Sequence, residues 1–313
     1  MKKVLITGFN GFVGQHACRA FADNGFEVIG ISNIPVTDES TRRLASEVYT
    51  CDLSDAAEVA KLTLGGIDTV LNLAGFATNS GGDPEQINRI NIGAHVNLYR
   101  RILELGLAPR IIAISSGAVY DADQPSPLTE LSRLKDPEHA RPYEASKILM
   151  EEALSEFEGS LEIIKARPMN HFGPGQRGRF IFPDFADMIK QALQNGTPVM
   201  TGSLVSGRDY TDVRDVVNAY FLLATAEKLN YDTYNICSGI SKTGQDILDA
   251  LLTKMDAKGK VEVREDPTKL RGSADMSQIT GSYSRINDDS GWEPQIPFEQ
   301  TVSDYVEWVM QQP

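Results

Sequence analysis

The stretch VLITGFNGFVG, residues 4–14, decides the fold of this protein. A β-branched run leads into three glycines, Gly8, Gly11 and Gly14, and a pattern typical of a helix follows. Gly8 allows a sharp turn, Gly11 lets the backbone approach a pyrophosphate, and Gly14 lets helix and strand pack closely. The first amides of a helix bind phosphate because they are unpaired and lie at the positive end of its dipole. The stretch therefore predicts a dinucleotide-binding turn between the first strand and the first helix.

The first half of the chain continues with short strand-like runs that alternate with helical patterns. Most of these runs lack a two-residue alternation, as expected for parallel strands that are covered on both faces. The predicted strands are Val4–Thr7, Glu27–Ser32, Glu47–Cys51, Asp68–Leu73, Arg110–Ser115 and Leu161–Ala166. Because repeated βαβ units form parallel sheets, the predicted fold class is α/β, a doubly wound parallel sheet of the Rossmann type.

Beyond Arg167 the pattern becomes less regular, and prolines and glycines interrupt it between residues 168 and 175. We predict a dinucleotide-binding domain over residues 1–168 and a smaller, mainly substrate-binding C-terminal part over residues 169–313. One strand near residues 232–237 is expected to return to the first sheet.

The bulk composition restricts the class of protein. With 41% hydrophobic and 23% charged residues, the chain has the composition of an ordinary globular protein. Its net charge of -13 argues against binding to nucleic acid or to an anionic membrane. Its three cysteines show neither metal-ligand spacing nor an even disulfide framework, and no apolar run approaches the roughly 18 residues that span a bilayer. We therefore expect a soluble, cytoplasmic protein without a metal site.

A tyrosine and a lysine four residues apart, Tyr143 and Lys147, predict the reaction. On a helix these side chains share one face, about 6 Å apart. A free phenol has a pKa of about 10, but an ammonium and the positive ring of an oxidised nicotinamide favour the phenolate and lower that pKa. The phenol can then exchange a proton with a sugar or alcohol oxygen while a hydride moves at the adjoining carbon. Ser116 follows the strand at Arg110–Ser115 and can share the reacting oxygen.

The second predicted strand ends in Ser32 and Asn33, where an acidic residue would bind the ribose 2′-hydroxyl of NAD. Because no carboxylate stands there to repel a 2′-phosphate, the sequence favours NADP over NAD without excluding NAD. Arg42 or Arg43 is a candidate for the 2′-phosphate, and the alternative is that both are solvated surface arginines.

Five motifs together resemble the extended short-chain dehydrogenase/reductase family, which includes NAD-dependent epimerases and dehydratases. They are Thr7-Gly8-x-x-Gly11-x-x-Gly14, Asn72-Leu73-Ala74-Gly75, Asn91, Ser115-Ser116-x-x-Val119-Tyr120 and Tyr143-x-x-x-Lys147. The resemblance implies Ser116, Tyr143 and Lys147 as catalytic residues and a homodimer formed through a four-helix bundle. With the glycine turn, it implies cofactor contacts at Gly8, Asn10, Gly11, Phe12, Val13, Asn33, Asp52, Leu53, Leu73, Ala74, Gly75, Asn91, Tyr143 and Lys147.

Two later segments resemble those of nucleotide-sugar enzymes. Residues 167–176 read RPMNHFGPGQ, similar to R-P-x-N-x-x-G-P-G-Q, and residues 208–215 read RDYTDVRD, similar to R-D-[FYW]-x-D-V-R-D. Arg208 and Arg271 are candidates to bind a diphosphate, because guanidinium groups match phosphate oxygens; the alternative is that they are solvated. Asn170 is a candidate donor to the diphosphate or to a sugar oxygen.

Within the family, the chain resembles the branch of GDP-4-keto-6-deoxy-mannose reductases and GDP-mannose 4,6-dehydratases. Dehydratases carry a glutamate two residues before the tyrosine of the strand-5 motif, where this chain has Ala118 before Tyr120. Without that carboxylate, elimination of water lacks its proton carrier. We predict an NAD(P)-dependent nucleotide-sugar oxidoreductase that reduces the C4 ketone of a 4-keto-6-deoxy sugar, GDP-linked in preference, with Tyr143 as proton donor. The alternatives are a 4-epimerase with bound NAD and, less favoured, a 4,6-dehydratase or a dinucleotide sensor without turnover.

Overall fold

Strands and helices alternate along the chain, which the computed structural model describes over residues 1–76, 83–178, 180–269 and 278–312. Within these ranges the strands are β1 (Lys3–Thr7), β2 (Glu27–Ser32), β3 (Glu47–Thr50), β4 (Thr69–Asn72), β5 (Arg110–Ile114), β6 (Glu162–Pro168), β7 (Asn170–Phe172), β8 (Val199–Thr201), β9 (Gly207–Asp212), β10 (Thr233–Ile236), β11 (Ser241–Thr243), β12 (Val263–Glu265) and β13 (Gln278–Ile279). The helices are α1 (Phe12–Asp23), α2 (Glu39–Arg42), α3 (Ala56–Val59), α4 (Pro84–Glu104), α5 (Pro142–Ala153), α6 (Ile181–Asn195), α7 (Val213–Thr225), α8 (Gly244–Lys254), α9 (Ser284–Ser290) and α10 (Phe298–Met310). Short 3-10 helices cover Gly117–Val119, Leu154–Phe157 and Pro267–Lys269.

Seven of the described strands form one parallel sheet, in the order β10-β6-β5-β4-β1-β2-β3. Strand β1 lies inside it, and Thr7 is aligned with Ile31 of β2 and with Asn72 of β4. This arrangement confirms the predicted Rossmann-type fold and all six predicted strands, whose ends agree to within two residues. The expected returning strand is β10, whose Thr233 is aligned with Lys165 of β6.

Two hydrophobic clusters flank this sheet. One packs α1 and α7 against it around Phe21 and Tyr220. The other packs α4 and α5 around Tyr99 and Phe157, whose rings meet edge to face at 5.5 Å. Each Å² of apolar surface that these clusters bury contributes about 25 cal/mol to the free energy of folding. The packed helices therefore fix the strands of the sheet, and with them the residues that follow the strand ends.

A third hydrophobic cluster lies among α6, α8 and α10. Phe172 and Phe182 stack at its centre, with ring centroids 3.7 Å apart. Beside it, β9 pairs with β7, β11 and β13. The domain boundary at residue 168 stays a prediction, and beyond it α7 and β10 contribute to the central sheet and its core. Among the helices described, none combines the length and apolarity that crossing a membrane requires.

Candidate active site

The glycine turn between β1 and α1 has a geometry that suits a dinucleotide. Gly8 adopts a φ of +63°, a region that favours glycine. A Cβ atom at Gly14 would lie 2.2 Å from the carbonyl oxygen of Gly8, so helix and turn approach this closely only with glycine. Gly11 precedes α1 without a side-chain cap, which leaves the first helix amides to a phosphate.

A cavity of about 460 Å³ opens beside this turn at the carboxyl ends of the strands, within the roughly 300–1,000 Å³ of small-molecule sites. It brings together ten predicted site residues from distant parts of the sequence: Gly8, Gly11, Phe12, Val13, Leu73, Gly75, Ser116, Tyr143, Lys147 and Asn170. Other predicted contacts lie outside its lining: Asn10, Asn33, Asp52, Leu53, Ala74, Asn91 and Arg208. Arg271 lies outside the residues that the structure describes.

The three predicted catalytic residues meet at this cavity. Helix α5 carries Tyr143 and Lys147 one turn apart, and both line the cavity. The Nζ atom of Lys147 donates to the carbonyl oxygen of Ile114, the last residue of β5, at 2.7 Å. Ser116 caps the following 3-10 helix, since its Oγ atom accepts a hydrogen bond from the Ala118 amide at 3.1 Å. The end of β5 and helix α5 are therefore attached to each other at the site.

Burial controls the proton affinities of these groups. It raises the pKa of the Tyr143 phenol, and the hydroxyl of Ser116 opposes that rise only in part. From the sequence we expected an ammonium and an oxidised nicotinamide to lower this pKa; in the protein alone, desolvation of the phenolate is the largest influence on it. Burial also lowers the pKa of Lys147 to about 8, and Glu151 acts in the opposite direction. The phenol therefore holds its proton at neutral pH, as a proton donor must.

Asn91 connects the loop after β4 to the catalytic helix. Its buried Oδ1 atom accepts a hydrogen bond from the Phe76 amide at 2.6 Å. Its Nδ2 atom donates to Ser146 Oγ at 2.8 Å, and Ser146 Oγ donates to the carbonyl oxygen of Tyr143 at 2.7 Å. Asn91 thus connects the segment at Phe76 to the first turn of α5, which carries Tyr143. Its direct contact with a cofactor stays a prediction.

Thr7 has a role that sequence reasoning missed. Its Oγ1 atom donates to Asn72 Oδ1 at 2.7 Å and accepts a hydrogen bond from the Ala74 amide at 2.8 Å. Asn72 is also bonded to the core, because its Nδ2 atom donates to the hydroxyl of the buried Tyr99 at 3.3 Å. These bonds position the Leu73–Gly75 segment at the cavity wall. The sequence signal that could have indicated this role is a polar residue at the end of each of two buried strands, Thr7 in β1 and Asn72 in β4.

The residues predicted to contact the adenosine half lie near β2 and β3. Asn33 follows β2 and is exposed, whereas Leu53 is buried. Asp52 accepts hydrogen bonds from the amide and hydroxyl of Ser54, at 2.9 and 2.7 Å. The position after β2 carries no carboxylate, as the sequence shows, so a 2′-phosphate meets no repulsion there.

The C-terminal part contributes the opposite end of the predicted site. Asn170 on β7 is aligned with Tyr210 on β9, and both line the cavity. Because side chains alternate along a strand, Arg208 lies on the same face of β9 as Tyr210. Arg208 donates to the carbonyl oxygen of Gly207 at 2.8 Å. Its side chain is not part of the cavity lining, and its role as a diphosphate ligand stays a prediction.

The carboxylates of the RDYTDVRD segment hold the backbone together. Asp209 is buried and accepts hydrogen bonds from three backbone amides near residues 238 and 281, at 2.7, 2.9 and 3.1 Å. Asp212 caps α7 through the Arg214 amide at 2.7 Å. Asp215 accepts from two amides near residue 295, at 3.0 and 2.9 Å. These three acids therefore have structural roles.

The cavity lining is rich in aromatic residues and has little charge. Sequence reasoning missed five of its phenylalanines and tyrosines: Phe76, Phe180, Phe182, Tyr210 and Tyr220. Among the lining residues described, Lys147 is the one lysine or arginine and none is a carboxylate. Burial lowers the pKa of His171, which stacks on Phe12 with ring centroids 6.3 Å apart. In the described part of the chain, no group of three His, Cys, Asp or Glu residues is placed to hold a metal ion.

Known proteins share these features. The sequence model of the NAD dependent epimerase/dehydratase family matches residues 4–237. The GDP-6-deoxy-D-mannose reductase of Pseudomonas aeruginosa is 28% identical over 309 residues, which cover 96% of this chain and 95% of the relative. The UDP-glucose 4-epimerase of Bacillus subtilis is 25% identical over 337 residues, with coverage of 97% and 96%.

A solved structure extends the agreement to three dimensions. RMD from Pseudomonas aeruginosa complexed with NADPH is 25% identical and has a TM-score of 0.82, with 100% of both chains covered. The family match spans most of the chain and contains the glycine turn, Ser116, Tyr143 and Lys147. The chain is therefore an enzyme of the NAD dependent epimerase/dehydratase family, a group with nucleotide-sugar epimerases and reductases among its members.

Proposed function

We propose that this enzyme is an NADP-dependent reductase that converts the C4 ketone of a nucleotide-activated 4-keto-6-deoxy sugar, in preference GDP-linked, to an alcohol. The observation that carries the proposal is the convergence of Ser116, Tyr143 and Lys147 on one cavity with the glycine turn. The turn fits a dinucleotide, and the lining from the C-terminal part, which includes Asn170, is available to a second ligand.

Reduction of a ketone needs a hydride at carbon and a proton at oxygen. The reduced nicotinamide, when bound, supplies the hydride. Tyr143 donates its proton to the C4 oxygen, and its raised pKa keeps that proton in place until the oxygen becomes basic. Ser116 donates a hydrogen bond to the same oxygen and stabilises the negative charge that develops on it. Lys147 binds the cofactor ribose and favours the Tyr143 phenolate after proton transfer.

The chemistry of the lining favours reduction over dehydration. A 4,6-dehydratase needs a carboxylate as base and acid at C5 and C6, and Ala118 lines the cavity at the position where this family branch carries one. No other Asp or Glu takes its place among the described lining residues. The carboxylate that carries the proton during elimination of water is therefore missing from the described site.

Arg208 supports a nucleotide diphosphate as the activating group. It lies two residues before Tyr210 on β9, and Tyr210 lines the cavity. A guanidinium pairs with phosphate oxygens in two parallel hydrogen bonds. The similarity to the Pseudomonas aeruginosa reductase supports GDP as the nucleotide. Arg271, the second predicted phosphate ligand, stays a prediction from the sequence.

Three observations support NADP as the cofactor. Asn33 follows β2 where NAD-specific sites carry an acid. Arg42 is exposed on α2, whereas Arg43 is paired with Glu39 at 3.0 Å, so Arg42 is the better ligand for the 2′-phosphate. The similar structure of RMD is a complex with NADPH.

We also propose the homodimer that the family resemblance implies. Helices α4 and α5 pack side by side, and each protomer would contribute this pair to a four-helix bundle. Leu103 on α4 is 39% exposed in the single chain. Light scattering during size-exclusion chromatography tests the dimer, and a monomer would contradict it.

A nucleotide-sugar 4-epimerase is the second candidate function. The similarity to the Bacillus subtilis UDP-glucose 4-epimerase favours it, and Ser116, Tyr143 and Lys147 can also remove a hydride at C4 and return it to the other face. An epimerase retains NAD through purification and interconverts two sugars without net cofactor consumption. A reductase oxidises added NADPH.

One experiment separates these functions. The protein is mixed with NADPH or NADH and with GDP-, UDP-, dTDP- or CDP-linked 4-keto-6-deoxy sugars, and loss of reduced cofactor is followed by absorbance. Thermal shifts with the same ligands identify binding, because a ligand of the folded state stabilises it by mass action. We expect oxidation of NADPH with a GDP-linked ketone. Interconversion of nucleotide sugars at constant cofactor would establish the epimerase, and no turnover would refute both.

A further inference from the structure

Glu151 lies one helical turn beyond Lys147 on α5, behind the cavity. Tyr143, Lys147 and Glu151 follow each other at intervals of four residues and therefore share one face of the helix. The Glu151 side chain is only 8% exposed, and it is not part of the cavity lining. A carboxylate so deeply buried needs strong partners.

Those partners come from two neighbouring strands. Arg167 on β6 binds the Glu151 carboxylate through two nitrogens, Nε at 2.9 Å and Nη2 at 2.5 Å. The hydroxyl of Ser115, which follows β5, donates to the same carboxylate. Arg167 is itself held, because Nη1 donates to the Tyr120 hydroxyl at 2.9 Å and the guanidinium lies 5.0 Å from the centre of that ring. The carboxylate is thus fixed in position at the back of the catalytic helix.

The charges that face Lys147 explain why this position matters. On α5 the phenol of Tyr143 is neutral, since burial raises its pKa. From α4, His95 is also neutral, since burial lowers its pKa to about 3. The end of β5 supplies only the carbonyl oxygen of Ile114. Among the described groups that act on Lys147, Glu151 is the one negative charge.

We infer that Glu151, held by Arg167, is a positioning residue that supplies the counter-charge keeping Lys147 an ammonium in its buried site. The inference deepens the proposed function and rests on it, because only a charged Lys147 binds the cofactor ribose and favours the Tyr143 phenolate. Arg167 binds the carboxylate from β6, whereas Lys147 lies one helical turn away from Glu151 on α5 itself. The carboxylate acts on the lysine along the helix, and the described structure contains no direct ion pair between the two.

The direct test is a carbon-13 NMR titration of the Lys147 side chain in the cofactor-free protein, assigned with Lys147→Met. We expect the wild-type lysine to titrate below the ordinary value of about 10.4, and Glu151→Gln to lower its midpoint further by about one pH unit or more. The matched control is Glu152→Gln, an exposed neighbour on the same helix, which should leave the midpoint unchanged. Equal midpoints in wild type and Glu151→Gln would overturn the inference.

Loss of Glu151 alone leaves a buried guanidinium without its partner, which can prevent folding. If Glu151→Gln does not fold, the double variant Glu151→Gln/Arg167→Gln, which removes both charges, is titrated instead. A lowered Lys147 midpoint in this variant supports the inference, and a wild-type midpoint overturns it. Since this titration needs neither cofactor nor substrate, its outcome is independent of whether the protein reduces nucleotide sugars. If wild type is catalytically active, the alkaline limb of its kcat/KM profile should reflect the NMR midpoint of Lys147. In a Glu151 variant, that limb should shift by the same amount as the midpoint.

Discussion

The Nζ atom of Lys147 lies 2.7 Å from the carbonyl oxygen of Ile114, so the catalytic helix is bonded to the strand that leads to Ser116. A lysine selected only for charge would extend into solvent, but this one is buried, at 5% exposure. The bond sets the distance between the end of β5 and the face of α5 that carries Tyr143. The reacting groups are therefore arranged by the protein before any ligand binds.

Replacement of Tyr143 by Phe should lower kcat by roughly 10²–10⁴-fold, because a positioned proton donor is lost. The Kd for NADPH should stay nearly unchanged, as measured by fluorescence titration. Tyr305→Phe is the control, since Tyr305 is a buried tyrosine in the third hydrophobic cluster and is not part of the cavity lining. A Tyr143→Phe enzyme with wild-type kcat would end the proposed mechanism.

Gly14→Ala should destabilise the protein and weaken NADPH binding, although alanine is ordinarily the better helix former by about 1 kcal/mol. The new methyl group would lie 2.2 Å from the Gly8 carbonyl oxygen, and such overpacking costs about 1–3 kcal/mol. Urea denaturation measures the free energy of unfolding. Gly65→Ala, where an added Cβ contacts no atom within 4 Å, should change it by less than about 0.5 kcal/mol. Equal stability of the two variants would contradict the close packing of the turn.

Lys147→Met should show how burial of the ammonium affects stability. In the folded protein the pKa of Lys147 is lowered to about 8 from 10.5, so below pH 8 the buried charge destabilises the fold in full. Between pH 8 and about 10.5 the folded state loses this proton before the unfolded state, and the cost decreases. The stability of wild type relative to Lys147→Met should therefore rise with pH across that window, measured by urea denaturation. Lys61→Met, at an exposed lysine, should give a constant difference.

Asp209→Asn should lower the free energy of unfolding by about 2 kcal/mol, because hydrogen bonds to a charged acceptor contribute about 1.5–3 kcal/mol. An amide cannot accept from three backbone N–H groups and a hydroxyl as this carboxylate does. Thermal unfolding of Asp23→Asn, an exposed aspartate on α1, provides the comparison. If both variants unfold at the wild-type temperature, Asp209 is not the structural acid that its contacts indicate.

Arg208→Gln should raise KM for the nucleotide sugar by roughly 10–100-fold and change kcat little, since a charged contact to phosphate is lost in ground and transition state alike. The Kd for NADPH should not change. Arg19→Gln, at an exposed arginine on α1, should leave all three constants at wild-type values. An unchanged KM in Arg208→Gln would remove this arginine from the substrate site.

Most of the central sheet was predictable because its signals are local. Glycine spacing at the β1–α1 turn and unbroken apolar runs report on the backbone within a few residues, and the six predicted strands are all present. The predicted spacing of Tyr143 and Lys147 likewise holds, since four residues make one helical turn. That burial raises the pKa of the Tyr143 phenol could not be predicted in this way, because desolvation depends on what covers the phenol.

The sequence by itself determined the fold class and the nucleotide turn, and it predicted the reacting side chains, because backbone freedom and helical periodicity are properties of neighbouring residues. Only the tertiary structure decided which charges are structural, as for Asp209, and which lie behind the site, as for Glu151. It also added Tyr220 to the cavity lining. Burial and pairing of this kind join residues far apart in the chain, so packing of the whole fold decides them.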